Sequence, residues 1–161
     1  MKILFIQTGG TIDKDYPKNI KGYAFEIGEP AVKLILGKIN PSFEYEILEL
    51  FKKDSTEITD DDRNILYEVC SNTDCEKIII THGTDTMIET ANYLSGIKSK
   101  TIILTGAFRP ERFRDSDAEF NLGAAVGAVQ GLNGGVFVAM NGIVADSKKI
   151  KRNNSDGRFI L

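Results

Sequence analysis

The sequence predicts an α/β fold: a mostly parallel sheet flanked by helices on both faces, as in flavodoxin-like and Rossmann-like three-layer sandwiches, with an antiparallel hairpin at one edge. Continuous apolar runs, typical of strands buried on both faces, occupy residues 2–7, 77–81, 101–105 and 136–140. Helical signals separate these runs, and this alternation predicts parallel strands joined by crossovers. Asn141-Gly142 favours a tight turn into residues 143–145, which predicts the antiparallel edge.

Length and composition predict one domain over residues 1–161, without a C-terminal domain. The net charge of −3 and the scattered basic residues argue against a nucleic-acid partner. No apolar run is long enough for a signal peptide or a membrane span, so we expect a cytoplasmic protein without membrane contact. Cys70 and Cys75 lack the spacing of metal ligands, and we expect two reduced thiols and no metal site.

The amino-terminal half is predicted to contain two strands, two loops and two helices. The first strand stops at Thr8-Gly9-Gly10-Thr11, and the polar segment 13–22 predicts a loop, flanked by Tyr16 and Tyr23, whose rings could close over a ligand or simply pack the loop down. Glu29-Pro30 favours a helix start, and residues 43–50 predict a second strand. A loop follows at 51–58. Thr59 is a typical N-cap for a helix reaching Ser71, with Ile65, Leu66 and Val69 facing inward.

The carboxyl-terminal half repeats the strand and helix pattern. A helix is expected from Asp85 or Thr86 to Leu94, a charged loop at 109–117, and a helix rich in small residues at 120–129. Residues 148–161 read as a basic, Asn-rich tail.

Several candidate functional residues, most with hydroxyl or carboxylate groups, follow shortly after predicted strands. Because parallel strands present their carboxyl ends at one edge of the sheet, where ligands bind in open α/β folds, one cleft could contain them all. These residues are Thr8, Thr11, Thr84, Asp85 and Ala107.

Two kinds of chemistry fit such a cleft. A threonine hydroxyl becomes a nucleophile when a Lys or Tyr takes its proton, and backbone amides at a Gly-Thr turn can stabilise an oxyanion, which together suggest acyl transfer. Phosphate binding at the glycine-rich turns competes with this interpretation. Against phosphate, Gly9-Gly10-Thr11 has neither the Walker lysine spacing nor the dinucleotide glycine pattern.

Three segments carry a family resemblance. Thr8-Gly9-Gly10-Thr11-Ile12 and Thr81-His82-Gly83-Thr84-Asp85-Thr86-Met87 resemble the paired signature of the bacterial-type L-asparaginase family, and Gly106-Ala107-Phe108-Arg109-Pro110 resembles its third strand-end motif. The resemblance covers nearly the whole chain. It implies hydrolysis of L-asparagine to L-aspartate and ammonia without a cofactor, through a covalent acyl-threonine intermediate, in a homo-oligomer that is a dimer or larger.

The resemblance also implies catalytic roles by position. Thr11 would be the nucleophile, polarised by Tyr23, with Tyr16 as the rival tyrosine. Thr84, Asp85 and Lys151 would form the second catalytic group, in which Lys151 perturbs the proton of Thr84; Lys148 and Lys149 leave the lysine register open.

The resemblance also implies which residues contact the substrate. Asp85 would hold the substrate ammonium, Ser55 and Thr56 its α-carboxylate, and Gly10 and Ala107 would offer backbone groups.

The sequence leaves two alternatives to asparagine hydrolysis open. The chain could be an amidase for glutamine or another small amide. It could also be a catalytically weak regulatory module that binds an amino acid. Family members commonly run to about twice this length, and short single-domain members exist.

Overall fold

The computed structural model describes residues 1–17 and 24–161, and its centre is one six-stranded sheet. The strands are β1 (Lys2–Gly9), β2 (Lys14–Asp15), β3 (Glu26–Ile27), β4 (Glu44–Lys53), β5 (Lys77–Thr81), β6 (Thr101–Thr105), β7 (Gly135–Met140), β8 (Ile143–Asp146), β9 (Lys151–Arg152) and β10 (Phe159–Ile160). The α-helices are α1 (Ala31–Ile39), α2 (Asp60–Asn72), α3 (Met87–Tyr93) and α4 (Ala118–Gly131). Three short 3-10 turns lie at Thr11–Asp13, Ser55–Glu57 and Leu94–Gly96.

The main sheet has the order β4-β1-β5-β6-β7-β8, and only β8 runs antiparallel to its neighbour. The predicted mostly parallel sheet with an antiparallel edge hairpin is therefore confirmed. β1 and β5 lie inside the sheet, which explains why their sequences are apolar without alternation.

Alternate side chains of the central strands feed two separate cores. Phe5 pairs in register with Ile79, which pairs with Ile103, and these side chains pack against α1 and α4. Their neighbours along each strand, including Ile78 and Ile80, pack against α2 and α3 on the opposite face. Because strand side chains alternate between faces, each buried strand holds both helical layers in place.

Two local predictions were wrong. Ile65 is 46% exposed, because the buried stripe of α2 runs through Leu66 and Cys70, one turn apart. The expected tail at 148–161 instead folds back as the β9/β10 hairpin, whose Phe159 is buried in the core beside α3. A single aromatic residue among polar ones gave too little periodicity to predict this docking.

Among the described residues, no helix combines the length and apolar character needed to cross a bilayer.

Candidate active site

The carboxyl ends of four neighbouring strands meet at one edge of the sheet. Gly9 and Gly10, which end β1, have φ of 112° and 87°, a backbone region that side chains disfavour. The Gly10 amide donates to the carbonyl oxygen of Lys53, at the end of β4, over 3.0 Å. The turn after β1 is thereby fastened to the loop after β4.

The turns that carry Thr11 and Thr84 pack directly on each other. A Cβ at Gly10 would lie closer than 3.0 Å to the amide nitrogen and Cα of Gly83, so only glycine lets the two backbones approach this far. Thr11 is half-buried and Thr84 is 9% exposed. Since each threonine directly follows one of the touching glycines, the structure brings both hydroxyl-bearing residues to one place.

Ser55 belongs to the same cluster, whereas Thr56 points outward. A Cβ at Gly83 would lie 2.6 Å from both Cβ and Oγ of Ser55, whose side chain is 2% exposed. The Thr86 hydroxyl donates to the Ser55 carbonyl oxygen over 2.7 Å, which joins this turn to the loop after β5. Thr56 is exposed, and its hydroxyl donates to Asp54 over 3.2 Å.

The Asp54 carboxylate anchors this loop to the segment after Thr11. Lys14 donates to Asp54 over 3.0 Å. Partial burial would raise the pKa of Asp54, but hydrogen bonds from Lys14 and from the Thr56 amide outweigh it, and the pKa lies below its ordinary value. Asp54 therefore stays ionised and holds the two loops together.

Ala107 lies where β6 ends and is 1% exposed. The preceding carbonyl, of Gly106, accepts from the Asn121 amide over 3.0 Å, and the Asp117 carboxylate accepts from the Phe108 amide over 3.0 Å. The backbone on either side of Ala107 is thus held by the start of α4.

Asp85 is exposed and its carboxylate already has a cationic partner. Arg152 Nη1 donates to Asp85 Oδ1 over 2.6 Å, and Arg152 Nε donates to the Gly157 carbonyl oxygen. Arg152 pairs with buried Phe159 across the hairpin, while Lys151 pairs with exposed Ile160. Opposed residues share a face, so Arg152 faces the domain and Lys151 lies on the exposed face.

Lys151 makes no side-chain hydrogen bond or ion pair within residues 1–17 and 24–161. The structure therefore does not bring it to Thr84 through a contact of either kind; the cation at this turn is Arg152.

Of the two candidate tyrosines, only Tyr16 lies in the described part of the chain. Tyr23 lies outside the described residues. Tyr16 is 71% exposed, its ring centroid lies 5.3 Å from that of Phe25, and it borders a cavity of about 320 Å³ together with Arg112 and Gly28.

A buried carboxyl group supports the Thr11 turn from below. Asp13 is fully buried; its Oδ1 accepts from the Ala31 amide over 2.7 Å, and its Oδ2 accepts from the Thr81 hydroxyl over 3.4 Å. Burial raises the pKa of Asp13 to about 7 despite these hydrogen bonds. Asp13 was missed from the sequence, although it lies two residues after Thr11, because nothing in the local pattern shows that this carboxyl is buried.

A second buried group supports the Thr84 turn. His82 Nδ1 lies 2.8 Å from the Gly83 carbonyl oxygen, and its Nε2 lies 2.9 Å from the Thr90 hydroxyl oxygen. The same Thr90 oxygen accepts a hydrogen bond from Arg63 Nε over 3.2 Å. Burial lowers the pKa of His82 to about 4, so the ring is neutral at neutral pH. Arg63 and Thr90 were also missed, because they lie on helices distant in sequence and only packing brings them to His82.

Known proteins are similar to this chain in both sequence and fold. L-asparaginase 2 of Escherichia coli is 42% identical over 92 residues, covering 52% of this chain and 26% of that protein. Glutaminase-asparaginase of Pseudomonas fluorescens is 34% identical over 90 residues, covering 53% and 25%. The thermostable L-asparaginase of Thermococcus kodakarensis superposes with a TM-score of 0.87 at 27% identity, covering 99% of this chain and 51% of that one.

These matches cover only part of each known protein. The chain spans about half the length of the solved structure, and the aligned segments cover about a quarter of the two curated relatives. The model of the asparaginase family's N-terminal domain, in contrast, matches residues 2–159, nearly all of this chain. Together with the joined Gly10-Thr11 and Gly83-Thr84 turns, this match shows that the chain belongs to the asparaginase family.

Proposed function

We propose that the protein is an L-asparagine amidohydrolase that releases L-aspartate and ammonia through an acyl-threonine intermediate. The observation that carries the proposal is the backbone contact between Gly10 and Gly83, which places Thr11 and Thr84 on adjoining turns. Family membership and the names of the relatives support the same reaction. The chemistry needs two hydroxyl groups close together, one to attack and one to assist, and no cofactor.

Thr11 is the proposed nucleophile. Its Oγ attacks the side-chain amide carbon of asparagine, the hydroxyl proton passes to the departing nitrogen, and the C–N bond breaks to release ammonia. Water then cleaves the Thr11 ester, which returns the hydroxyl and releases aspartate. Tyr23 is proposed to polarise Thr11, while Thr84 assists the attack or positions the water. Lys151 is the lysine proposed to perturb the Thr84 proton, although it makes no hydrogen bond to Thr84 among the described residues, and Lys148 and Lys149 are its rivals.

The substrate contacts are proposed from the same cluster. Asp85 accepts the α-ammonium through the oxygen that Arg152 leaves free, and Ser55 and Thr56 receive the α-carboxylate. Backbone groups at Gly10 and Ala107 contact the side-chain amide.

The surface and the composition of the chain support further proposals about the whole protein. We infer a homo-oligomer, supported by the apolar side chains of Tyr45 and Leu48, 41% and 37% exposed on the edge strand β4. We also infer a cytoplasmic enzyme that acts on a small molecule and not on nucleic acid, supported by the two free, buried cysteines and the net charge of −3. Sedimentation velocity measures the assembly state.

Ammonia release from asparagine tests the reaction. The wild type and Thr11→Ser are expected to turn over, because serine keeps the hydroxyl, and Thr11→Ala is expected to lose at least about 1,000-fold in kcat, the usual scale for removing a nucleophile. Trapping an acyl adduct on residue 11 by denaturing mass spectrometry identifies the nucleophile. Turnover by Thr11→Ala at the wild-type rate would contradict the proposal.

A glutaminase is the second candidate, because two relatives carry the name glutaminase-asparaginase. Assaying glutamine beside asparagine separates the two activities. Turnover of glutamine alone would favour the rival amidase, and aspartate binding without any turnover would favour an amino-acid-binding module.

The tyrosine and lysine assignments need their own variants. Tyr23→Phe and Tyr16→Phe remove one hydroxyl each, and the variant with the larger loss of kcat identifies the tyrosine. Lys151→Met, Lys148→Met and Lys149→Met do the same for the lysine; unchanged activity in Lys151→Met would reject Lys151.

A further inference from the structure

The contacts of His82, the only histidine in the chain, determine where its ring proton lies. A carbonyl oxygen can only accept, so at 2.8 Å from the Gly83 carbonyl oxygen His82 Nδ1 must be the donor. The ring is neutral and carries one proton, so Nε2 is an acceptor and receives the hydrogen of the Thr90 hydroxyl.

The opposite end of the same chain of hydrogen bonds agrees with this assignment. Arg63 has only donors, so its Nε donates to Thr90 Oγ1, which leaves the Thr90 hydroxyl hydrogen available to His82 Nε2. Arg63 is 4% exposed, and two carboxylates hold its guanidinium, Asp60 at 2.9 Å and Glu89 at 3.2 Å. The direction of the chain therefore runs from Arg63 through Thr90 and His82 to the Gly83 carbonyl.

The backbone of His82 is fixed as firmly as its ring. The His82 amide donates to the Thr105 carbonyl oxygen over 2.9 Å. A Cβ at Gly106 would collide with the His82 carbonyl oxygen, and a Cβ at Gly10 would lie 2.9 Å from the His82 carbonyl carbon. The carbonyl oxygen of the Gly83-Thr84 peptide group lies 2.8 Å from His82 Nδ1, so the ring restrains the plane of this peptide group.

We propose that His82 is a positioning residue for Thr84: Arg63, acting through the Thr90 hydroxyl, holds the His82 ring in its Nδ1–H tautomer, and the ring fixes the Gly83-Thr84 peptide. The link to catalysis rests on the proposed function, in which Thr84 assists Thr11. His82 does not act as a base, because its only lone pair accepts from Thr90 and its only N–H is used on Gly83.

Nitrogen-15 NMR of the single histidine tests the tautomer in the wild-type protein. A long-range proton–nitrogen spectrum is expected to show a protonated Nδ1 and an unprotonated Nε2, without change from pH 5 to pH 8. The charged groups that act on the pKa of the ring are Arg63, which lowers it, and Asp54, which raises it. An Nε2–H pattern, or titration near the ordinary pKa of histidine, would overturn the proposal.

A pair of threonine variants tests the positioning role. Thr90→Val removes the hydroxyl but keeps the shape, and Thr101→Val is its control, since Thr101 is an equally buried threonine at the opposite end of the sheet. Thr90→Val is expected to shift the Thr84 backbone amide resonance and the histidine nitrogens, and Thr90→Ser to restore both. Thr101→Val should change neither, and an unshifted Thr84 amide in Thr90→Val would overturn the positioning role.

Turnover separates this inference from the proposed function. If asparagine is hydrolysed, Thr90→Val is expected to lose about 10-fold in kcat while KM changes less than about 2-fold, because the substrate contacts are untouched. If the wild type has the Nδ1–H tautomer and Thr90→Val shifts the Thr84 amide resonance, but the wild type does not hydrolyse asparagine, the proposed function is rejected. The positioning of Thr84 by His82 would still be supported.

Discussion

Gly10 and Gly83 lie backbone to backbone, although 73 residues separate them in sequence, and neither position has room for a Cβ. This contact is possible because β1 and β5 are adjacent parallel strands that end at the same edge of the sheet. The distance between the Thr11 and Thr84 turns is therefore set by the absence of a side chain at Gly10, while the absence of one at Gly83 lets Ser55 pack against the same turn.

Gly10→Ala is expected to abolish turnover and to lower the free energy of unfolding by at least about 2 kcal/mol, since a methyl group would meet the Gly83 backbone at a φ that favours glycine. Gly37→Ala is the matched control. Gly37 lies in α1, and no heavy atom lies within 4 Å of the place that an alanine methyl group would occupy, so alanine is expected to raise stability by about 0.5–1 kcal/mol. Chemical denaturation and ammonia release measure both effects; an active, stable Gly10→Ala would contradict the packing argument.

Asp13 and His82 are expected to cancel each other in the pH dependence of stability. The pKa of Asp13 rises from 3.8 to about 7 on folding, so its contribution is complete below about pH 4 and is lost as the pH rises towards 7. The pKa of His82 falls from 6.5 to about 4, so its contribution is present above pH 6.5 and is lost as the pH falls towards 4. Between about pH 4 and 6.5 the folded state gains one proton at Asp13 and lacks one at His82.

In the Asp13→Asn variant, the pH dependence of the free energy of unfolding is expected to show the contribution of His82 without that of Asp13. Its free energy of unfolding is expected to fall by about 1 kcal/mol for each pH unit between 6.5 and 4, relative to the wild type. Denaturant titrations at several pH values measure this slope. A parallel displacement of the two curves, with no difference in slope, would show that Asp13 ionises as in the unfolded chain.

Asp85→Asn is expected to raise the KM for asparagine at least about 10-fold, because the substrate ammonium loses its carboxylate. Stability should change by less than about 1 kcal/mol, since the ion pair with Arg152 is exposed to solvent. Asp156→Asn removes a comparable ion pair, with Arg158, and serves as the control. An equal change in KM for both variants would point to long-range charge and not to direct contact.

Asn121→Ala is expected to destabilise the protein by about 2–4 kcal/mol and to reduce turnover. The buried Asn121 amide donates to the Gly106 carbonyl and its oxygen accepts from the Asn141 amide, so one side chain ties α4 to the turns after β6 and β7. Asn121→Asp keeps the acceptor for Asn141 but places an oxygen where the amide donated to the Gly106 carbonyl and the Asp117 carboxylate. Thermal unfolding at neutral pH should rank the wild type above Asn121→Ala, and Asn121→Ala above Asn121→Asp; the reverse order of the variants would be inconsistent with these contacts.

The sequence by itself determined the fold and the turns. Continuous apolar runs specify the buried strands, glycines stop β1 where a side chain would not fit, and the paired Gly-Thr segments mark the edge of the sheet where a ligand site is expected. These are local signals, carried by neighbours along the chain.

Only the tertiary structure decided which groups support those turns. The burial of Asp13, the reach of Arg63 to His82 through Thr90, and the choice of Arg152 over Lys151 as the contact of Asp85 depend on packing between elements far apart in sequence. Burial and the direction of a hydrogen bond are properties of the packed environment, and no residue pattern along a single element encodes them.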